Sequence, residues 1–308
     1  MMNFRKVLVV GFSLGLTGLT PAAISIQNFS PSANDRFANN PSFVGAGYDW
    51  SGVGRAANGT WAVMIAPNVF LSATHYHAGN GTTLSFFPGN NAGATAVTGT
   101  IASSQQIGGT DLWLGALSAP LPGGITSYGF MTVPLNEAIF PSSSAANQFV
   151  YQSGITPTVG GYGASPLTNQ AVGTNRIEGF IDSLVVGGST GDVTVLVQNL
   201  SGDPGFTLTS FEAKLNGGDS GSPLMVVSGG ALVVAGIAWA VGTVDIDNGP
   251  GIIERDATVY SYTGNHAGVI QDFIAAHPVP EPHSITLIIA AAGMLLIRRR
   301  ACRSGPVG

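Results

Sequence analysis

The chain has 308 residues, with 44 glycines, 18 prolines and only 9% charged side chains, a composition that permits one large or two small folded bodies, favours short strands joined by turns and leaves little room for long polar helices. Six of the eleven basic residues lie in the terminal segments, so the stretch between them sets five basic residues against fifteen acidic ones, a formal charge of about −10 that repels phosphate backbones and argues against nucleic acid as a partner. The single cysteine, Cys302, also lies in the C-terminal segment, which leaves the body without a disulfide or a thiol metal ligand.

In chain order, Arg5 and Lys6 precede an apolar run from Val7 to Leu19, followed by small residues at Ala22, Ala23 and Ser25. This is the order of a secretory signal peptide, assigned to residues 1–25; Gly11, Gly15, Gly18 and Pro21 speak against a buried helix there. Residues 26–43 are mostly polar and lack a hydrophobic period, and read as a flexible leader. A body over 44–277 follows. Short apolar runs at Trp61–Ala66, Val69–Ala73, Leu112–Leu117, Phe149–Gln152, Ile181–Val186, Val193–Val197 and Leu232–Trp239 alternate with Gly, Asn, Ser and Thr clusters, the pattern of an antiparallel all-β sandwich or barrel. The Gly-rich stretches 79–109 and 187–205 read as long loops or hairpins. Asp245 and Asp247 alternate in the manner of oxygen ligands around calcium, but without the glutamate of an EF-hand they read as a plain turn. Val269, Ile270, Phe273 and Ile274 recur at helical spacing, so a single helix closes the body.

Three local strings carry chemistry. Asn216-Gly217-Gly218-Asp219-Ser220-Gly221-Ser222-Pro223 joins a serine to glycines that let backbone N–H groups converge on a developing oxyanion, and it does not fit the G-x-S-x-G nucleophile elbow because Ser222 stands where a glycine is needed. Val69-Phe70-Leu71-Ser72-Ala73-Thr74-His75 sets an imidazole directly after an apolar strand, where a general base needs rigid support. His77, two residues on, is a rival on the same face of an extended strand. Gly108-Gly109-Thr110-Asp111 places a carboxylate at the head of the next apolar strand.

The order His, Asp, Ser and the strings Leu-Ser-Ala-Thr-His75, Asp111-Leu-Trp-Leu and Gly-Asp-Ser220-Gly-Ser-Pro resemble the trypsin-like serine protease family. The likeness extends from about Val44 to His277 and includes Val234–Trp239 and Ala257–Tyr260 before the helix. It implies two antiparallel six-stranded β-barrels with a C-terminal helix, His75 and Asp111 on the first and Ser220 on the second. It also implies an oxyanion hole of the Gly218 and Ser220 N–H groups, and it selects His75 over His77. The expected function is that of a secreted serine endopeptidase working through an acyl-enzyme without metal or cofactor. A catalytically silent protease-like binding module and a structural surface β protein are the alternatives.

Lys214, six residues before the nucleophile, is a candidate for the base of the specificity pocket or for the surface, with Ala238, Trp239 and Ala240 as further pocket candidates. Phe43-Val44-Gly45 has no basic residue before it, so release of a new N-terminus there is not expected, and Asp219 needs another partner. Finally, Val279-Pro280-Glu281-Pro282, an apolar stretch to Ile297 and Arg298-Arg299-Arg300 resemble the PEP-CTERM sorting signal of Gram-negative bacteria. Over residues 278–308 this implies an exosortase-type processing enzyme, alongside signal peptidase, as a partner. It also implies transient inner-membrane anchoring and a destination at the cell envelope or outside, with protein or peptide as substrate. The arginines agree with the positive-inside rule.

Overall fold

A computed structural model describes residues 23–157, 165–201, 203, 208–247 and 252–279. Sixteen strands and two helices are assigned among them: β1 Ser25–Ile26, α1 Pro31–Asn34, β2 Val53–Ala56, β3 Trp61–Ala66, β4 Val69–Ala73, β5 Thr83–Phe86, β6 Val97–Gln106, β7 Leu112–Leu117, β8 Gly129–Phe130, β9 Phe149–Gly154, β10 Ala171–Arg176, β11 Gly179–Val186, β12 Ser189–Val197, β13 Ala213–Lys214, β14 Pro223–Ser228, β15 Ala231–Asp247, β16 Ile252–Tyr262 and α2 Ala267–Ala276. Asp245 and Asp247 belong to β15 rather than to a turn; residues 248–250 lie outside the described set.

Strands β2 to β7 form a closed antiparallel barrel in the order β2-β3-β4-β7-β6-β5. Its central strands read as unbroken apolar runs because both of their faces are buried. Ala62 and Met64 of β3 and Phe70 of β4 point into the barrel with Leu84, Phe86 and Ile101. The alternate residues Trp61, Val63, Ile65, Val69 and Leu71 belong to a second core that also takes in Met225, Val234 and Ile237 of the following sheet and Ile270 and Phe273 of α2. The helix thus seals the joint between the two halves with one apolar stripe.

The second half is a curled sheet in the order β10-β9-β14-β15-β16-β12-β11, with β8 added parallel to β15. It differs in detail from a closed six-stranded barrel. The segment before β13 lies along the β10 edge, and β10 reaches toward β12 through a side chain: Thr174 N donates to Phe211 O at 2.8 Å, and the buried Asn175 amide donates to Val197 O at 3.0 Å and Ala213 O at 2.9 Å. Side-chain bonds replace the missing ladder and satisfy the edge carbonyls. An all-β body of two such halves closed by a C-terminal helix is chymotrypsin-like.

Residues 26–43, expected to be a flexible leader, are instead built into the body. Asn34 donates to Val172 O at 3.0 Å. The fully buried Arg36 reaches Val53 O, Phe87 O and Gly89 O on the barrel side and Gln170 Oε1 on the sheet side, at 2.7–3.1 Å. The expected boundary at residue 25 also cuts through packed structure, since Ile24 is buried and Ser25 pairs with Lys214 of β13. A polar sequence hides this role because its contacts are hydrogen bonds to backbone, which leave no hydrophobic period. Among the described residues no helix is long and apolar enough to cross a membrane; the candidate signal peptide over 1–22 and the sorting segment from Pro280 onward lie outside them.

Candidate active site

His75 stands just beyond β4, in a tight turn where Tyr76 N bonds back to Ala73 O at 3.3 Å. The register of β4 on β7 sets Ala73 opposite Leu112, which brings Asp111, the residue before β7, alongside. Thr74 N donates to Asp111 O at 2.7 Å, and the Thr74 hydroxyl lies 3.2 Å from both Thr110 O and Leu112 O. The Asp111 carboxylate is buried and accepts from the His75 backbone N–H at 3.1 Å. Its two oxygens lie 2.8 and 3.0 Å from His75 Nδ1. A carboxylate at Nδ1 keeps the ring proton there and leaves the Nε2 lone pair free. Burial pushes the Asp111 carboxyl up, with the hydrogen bonds and charge of His75 pulling it back down.

Ser220 sits in a loop folded around the side chain before it. Asp219 is completely buried; one oxygen accepts from Ile155 N at 2.6 Å and the other from Asn216 N at 2.9 Å. These backbone amides, and the field of Arg55, are the partners that the sequence left open for this acid. Burial nevertheless raises its pKa to about 7. Gly218 has φ of +101°, a conformation that favours glycine. Among the described residues neither the Gly218 nor the Ser220 N–H donates to an acceptor. Gly221 presses against the histidine turn: a side chain there would begin 3.2–3.4 Å from Ser72 Oγ, Tyr76 O and Ala73 N. That close approach brings the serine loop onto the end of β4.

His75 and Ser220 border one cleft. One wall is Leu215, Asn216 and Gly217; the other is Ala238 to Val241 of β15, with Thr258 of β16 beside Val241. Of the sequence-derived pocket residues, Ala238, Trp239 and Ala240 are therefore in the lining and Lys214 is not. Lys214 is turned onto Asp256, with 2.6 Å between ammonium and carboxylate; pairing of β13 with β1 fixes that direction. Leu215, Val241 and Thr258 were missed, and only their nearness in sequence to the quoted strings could have suggested them. His77 stacks on Trp113 at 3.7 Å between ring centroids and bonds Thr74 O through Nδ1 at 2.6 Å, away from the Asp111 carboxylate.

No family model matches the chain, and no curated protein matches its sequence. Among solved structures it is similar to the NS6 protease from murine norovirus 1, at 16% identity over 69% of this chain and 90% of that one, with a TM-score of 0.38. It is also similar to an inactive mutant of the murine norovirus NS6 protease carrying a C-terminal extension, at 14% identity over 69% of this chain and 90% of that one, with a TM-score of 0.37. The strand topology, not these overlaps, carries the fold assignment.

Proposed function

We propose that the chain is a serine endopeptidase in which Ser220 is the nucleophile, His75 the general base and Asp111 the carboxylate that orients it. The observation that carries this reading is the clamp of the buried Asp111 on His75 Nδ1 in a cleft that Ser220 shares. A buried carboxylate costs stability unless it serves a partner, and here that partner is a ring with its second nitrogen free. The only cysteine, Cys302, lies outside the body, so the body's own nucleophile is a hydroxyl.

In the proposed reaction, Ser220 Oγ bonds to the carbonyl carbon of the scissile peptide as its proton passes to His75 Nε2. The carbonyl oxygen takes up the electron pair and is met by the Gly218 and Ser220 N–H groups, each donor contributing roughly 3 kcal/mol to the transition state. His75 then protonates the departing amine, and a water molecule repeats the sequence on the ester to free the acid. The carboxylate holds the imidazolium in place without itself accepting the proton.

The proposal includes export: a signal peptide before the body, an exosortase-type step on the Pro-Glu-Pro segment with transient inner-membrane anchoring, and a final place at the envelope or outside a Gram-negative cell. The test of the chemistry is covalent labelling by a fluorophosphonate together with casein or peptide turnover. Labelling mapped to Ser220, and loss of both signals in Ser220→Ala with an unchanged circular dichroism spectrum, is the expected result. Turnover retained by Ser220→Ala in protein free of other proteases overturns the reading.

A further inference from the structure

We propose that the cleft selects substrates by a small or medium-sized uncharged aliphatic side chain, from alanine to leucine, on the residue N-terminal to the scissile bond. The inference rests on the peptidase reading and adds the substrate class. Besides the His75 ring, the cleft is walled by backbone, aliphatic carbon, the Trp239 indole, the Asn216 amide and the hydroxyls of Ser220 and Thr258. Among the described residues no carboxylate or ammonium belongs to the lining.

The three charged groups with a claim on the site all face elsewhere. Lys214 is paired with Asp256. Asp219 is completely buried under the serine loop, with both oxygens taken by the Ile155 and Asn216 N–H groups. Arg55 is buried, hydrogen-bonded to Gly59 O and Asn169 O, and stacked over Trp61. A charged substrate side chain entering the cleft would leave water and meet no counter-charge, which is among the costliest exchanges in a protein interior. The general negative charge of the body does not compensate for a cation there, because it is spread over the surface and screened beyond roughly 8–10 Å.

Size is limited by β15 and the neighbouring strand. Counted with its open mouth and the solvent there, the space in the cleft is about 330 Å³, and that space must also admit substrate backbone. Ala240 and Val241 stand on the wall where glycines would open it. Trp239 cannot swing aside to enlarge the site: its ring is buried among Val193, Val195, Val244 and Val259 and lies against Gly191. Thr258 is 1% exposed, and its oxygen already accepts the Leu215 N–H at 3.1 Å, which ties the two walls together.

The experiment is a fluorogenic peptide series varied at that one residue, read as kcat/KM on the full body, with fluorophosphonate labelling run in parallel. Substrates with Ala, Val or Leu are expected to exceed those with Lys, Arg, Asp or Glu by at least about 100-fold, and to exceed Phe and Tyr by about tenfold. Val241→Gly is expected to raise the Phe-to-Ala ratio by about tenfold. Ala240→Gly serves as a second widening variant should the first fold poorly, and the wild-type profile stands without either. Labelling at Ser220 together with a preference for a charged or aromatic residue overturns the inference and leaves the peptidase reading intact. Folded protein that neither labels nor cleaves any peptide in the series overturns both.

Discussion

Asp111 does its work through one ring nitrogen, so its replacement separates geometry from charge. In Asp111→Asn the amide can still hold the His75 turn, but it cannot stabilise the imidazolium and can favour the wrong tautomer. Turnover is expected to fall by about four orders of magnitude with folding retained. His77→Ala removes a ring stacked on Trp113 that makes no hydrogen bond to the Asp111 carboxylate, and is expected to change kcat by less than about threefold. Parallel steady-state assays of the two variants check this; a severe loss in His77→Ala would transfer the base role to the wrong neighbour. These residues were legible in sequence because each lies in a short string tied to an adjacent strand end. Lys214 was not, since membership of a pocket depends on which way a strand turns, and only the pairing of Lys214 with Ser25 and its ion pair with Asp256 decide it.

Elements buried on both faces announce themselves as apolar runs, and β3, β4 and β7 occupy the very spans Trp61–Ala66, Val69–Ala73 and Leu112–Leu117 that the sequence marks. The β5 and β6 hairpin falls inside the stretch read as a long loop or hairpin, and β6 is mostly Ser, Thr, Gly and Gln with only Ile101 buried, so half of its barrel wall carries almost no hydrophobic signal. The segment 26–43 shows no hydrophobic period for a related reason: much of its hold on the body is polar, through Asn34, the Arg36 backbone and above all the buried Arg36 guanidinium. Arg36 satisfies three backbone carbonyls and the Gln170 amide oxygen at once, with burial lowering its pKa to about 10. Arg36→Ala takes the guanidinium from the buried Val53 and Phe87 carbonyls and the Gln170 oxygen and is expected to destabilise the fold by about 3–5 kcal/mol. Arg36→Lys, with a point charge in place of a planar fork, is expected to recover less than half of that loss. Urea unfolding of the three proteins measures both numbers, and a loss below about 1 kcal/mol in Arg36→Ala would return the segment to the status of a loose leader.

At the scale of the whole molecule, two buried carboxyls in separate places give stability a common dependence on pH. Burial raises Asp219 to about 7 and Glu178 to about 8. Glu178 also feels the charge of Glu212, another buried acid whose pKa is raised by burial. In each case the folded chain holds its proton more tightly than the unfolded chain, where such groups ionise near 4. Their contribution is therefore fully present below about pH 4, and it is lost as pH rises through about 7 for Asp219 and about 8 for Glu178. His266 opposes this trend, because burial lowers its proton affinity and stability on its account grows as pH rises toward the ordinary histidine range. Two carboxyls, each displaced by roughly three units, outweigh one histidine. Asp49 and Asp203, both lowered, lose their contribution only as pH falls through the acid range. The melting temperature is accordingly expected to be highest near pH 4, to fall until about pH 8 and to be lower by at least about 10 °C at pH 9. Glu178→Gln carries no titrating proton and is expected to flatten the decline between pH 5 and pH 8, whatever the cost to the absolute melting temperature of an amide that must face the Val197 N–H and the Asn199 amide, from both of which the carboxylate accepts. Thermal unfolding of wild type and Glu178→Gln across this pH series decides the matter: parallel curves would show that Glu178 does not enter the fold protonated, and a wild-type melting temperature that climbs from pH 5 to pH 9 would show that neither carboxyl does.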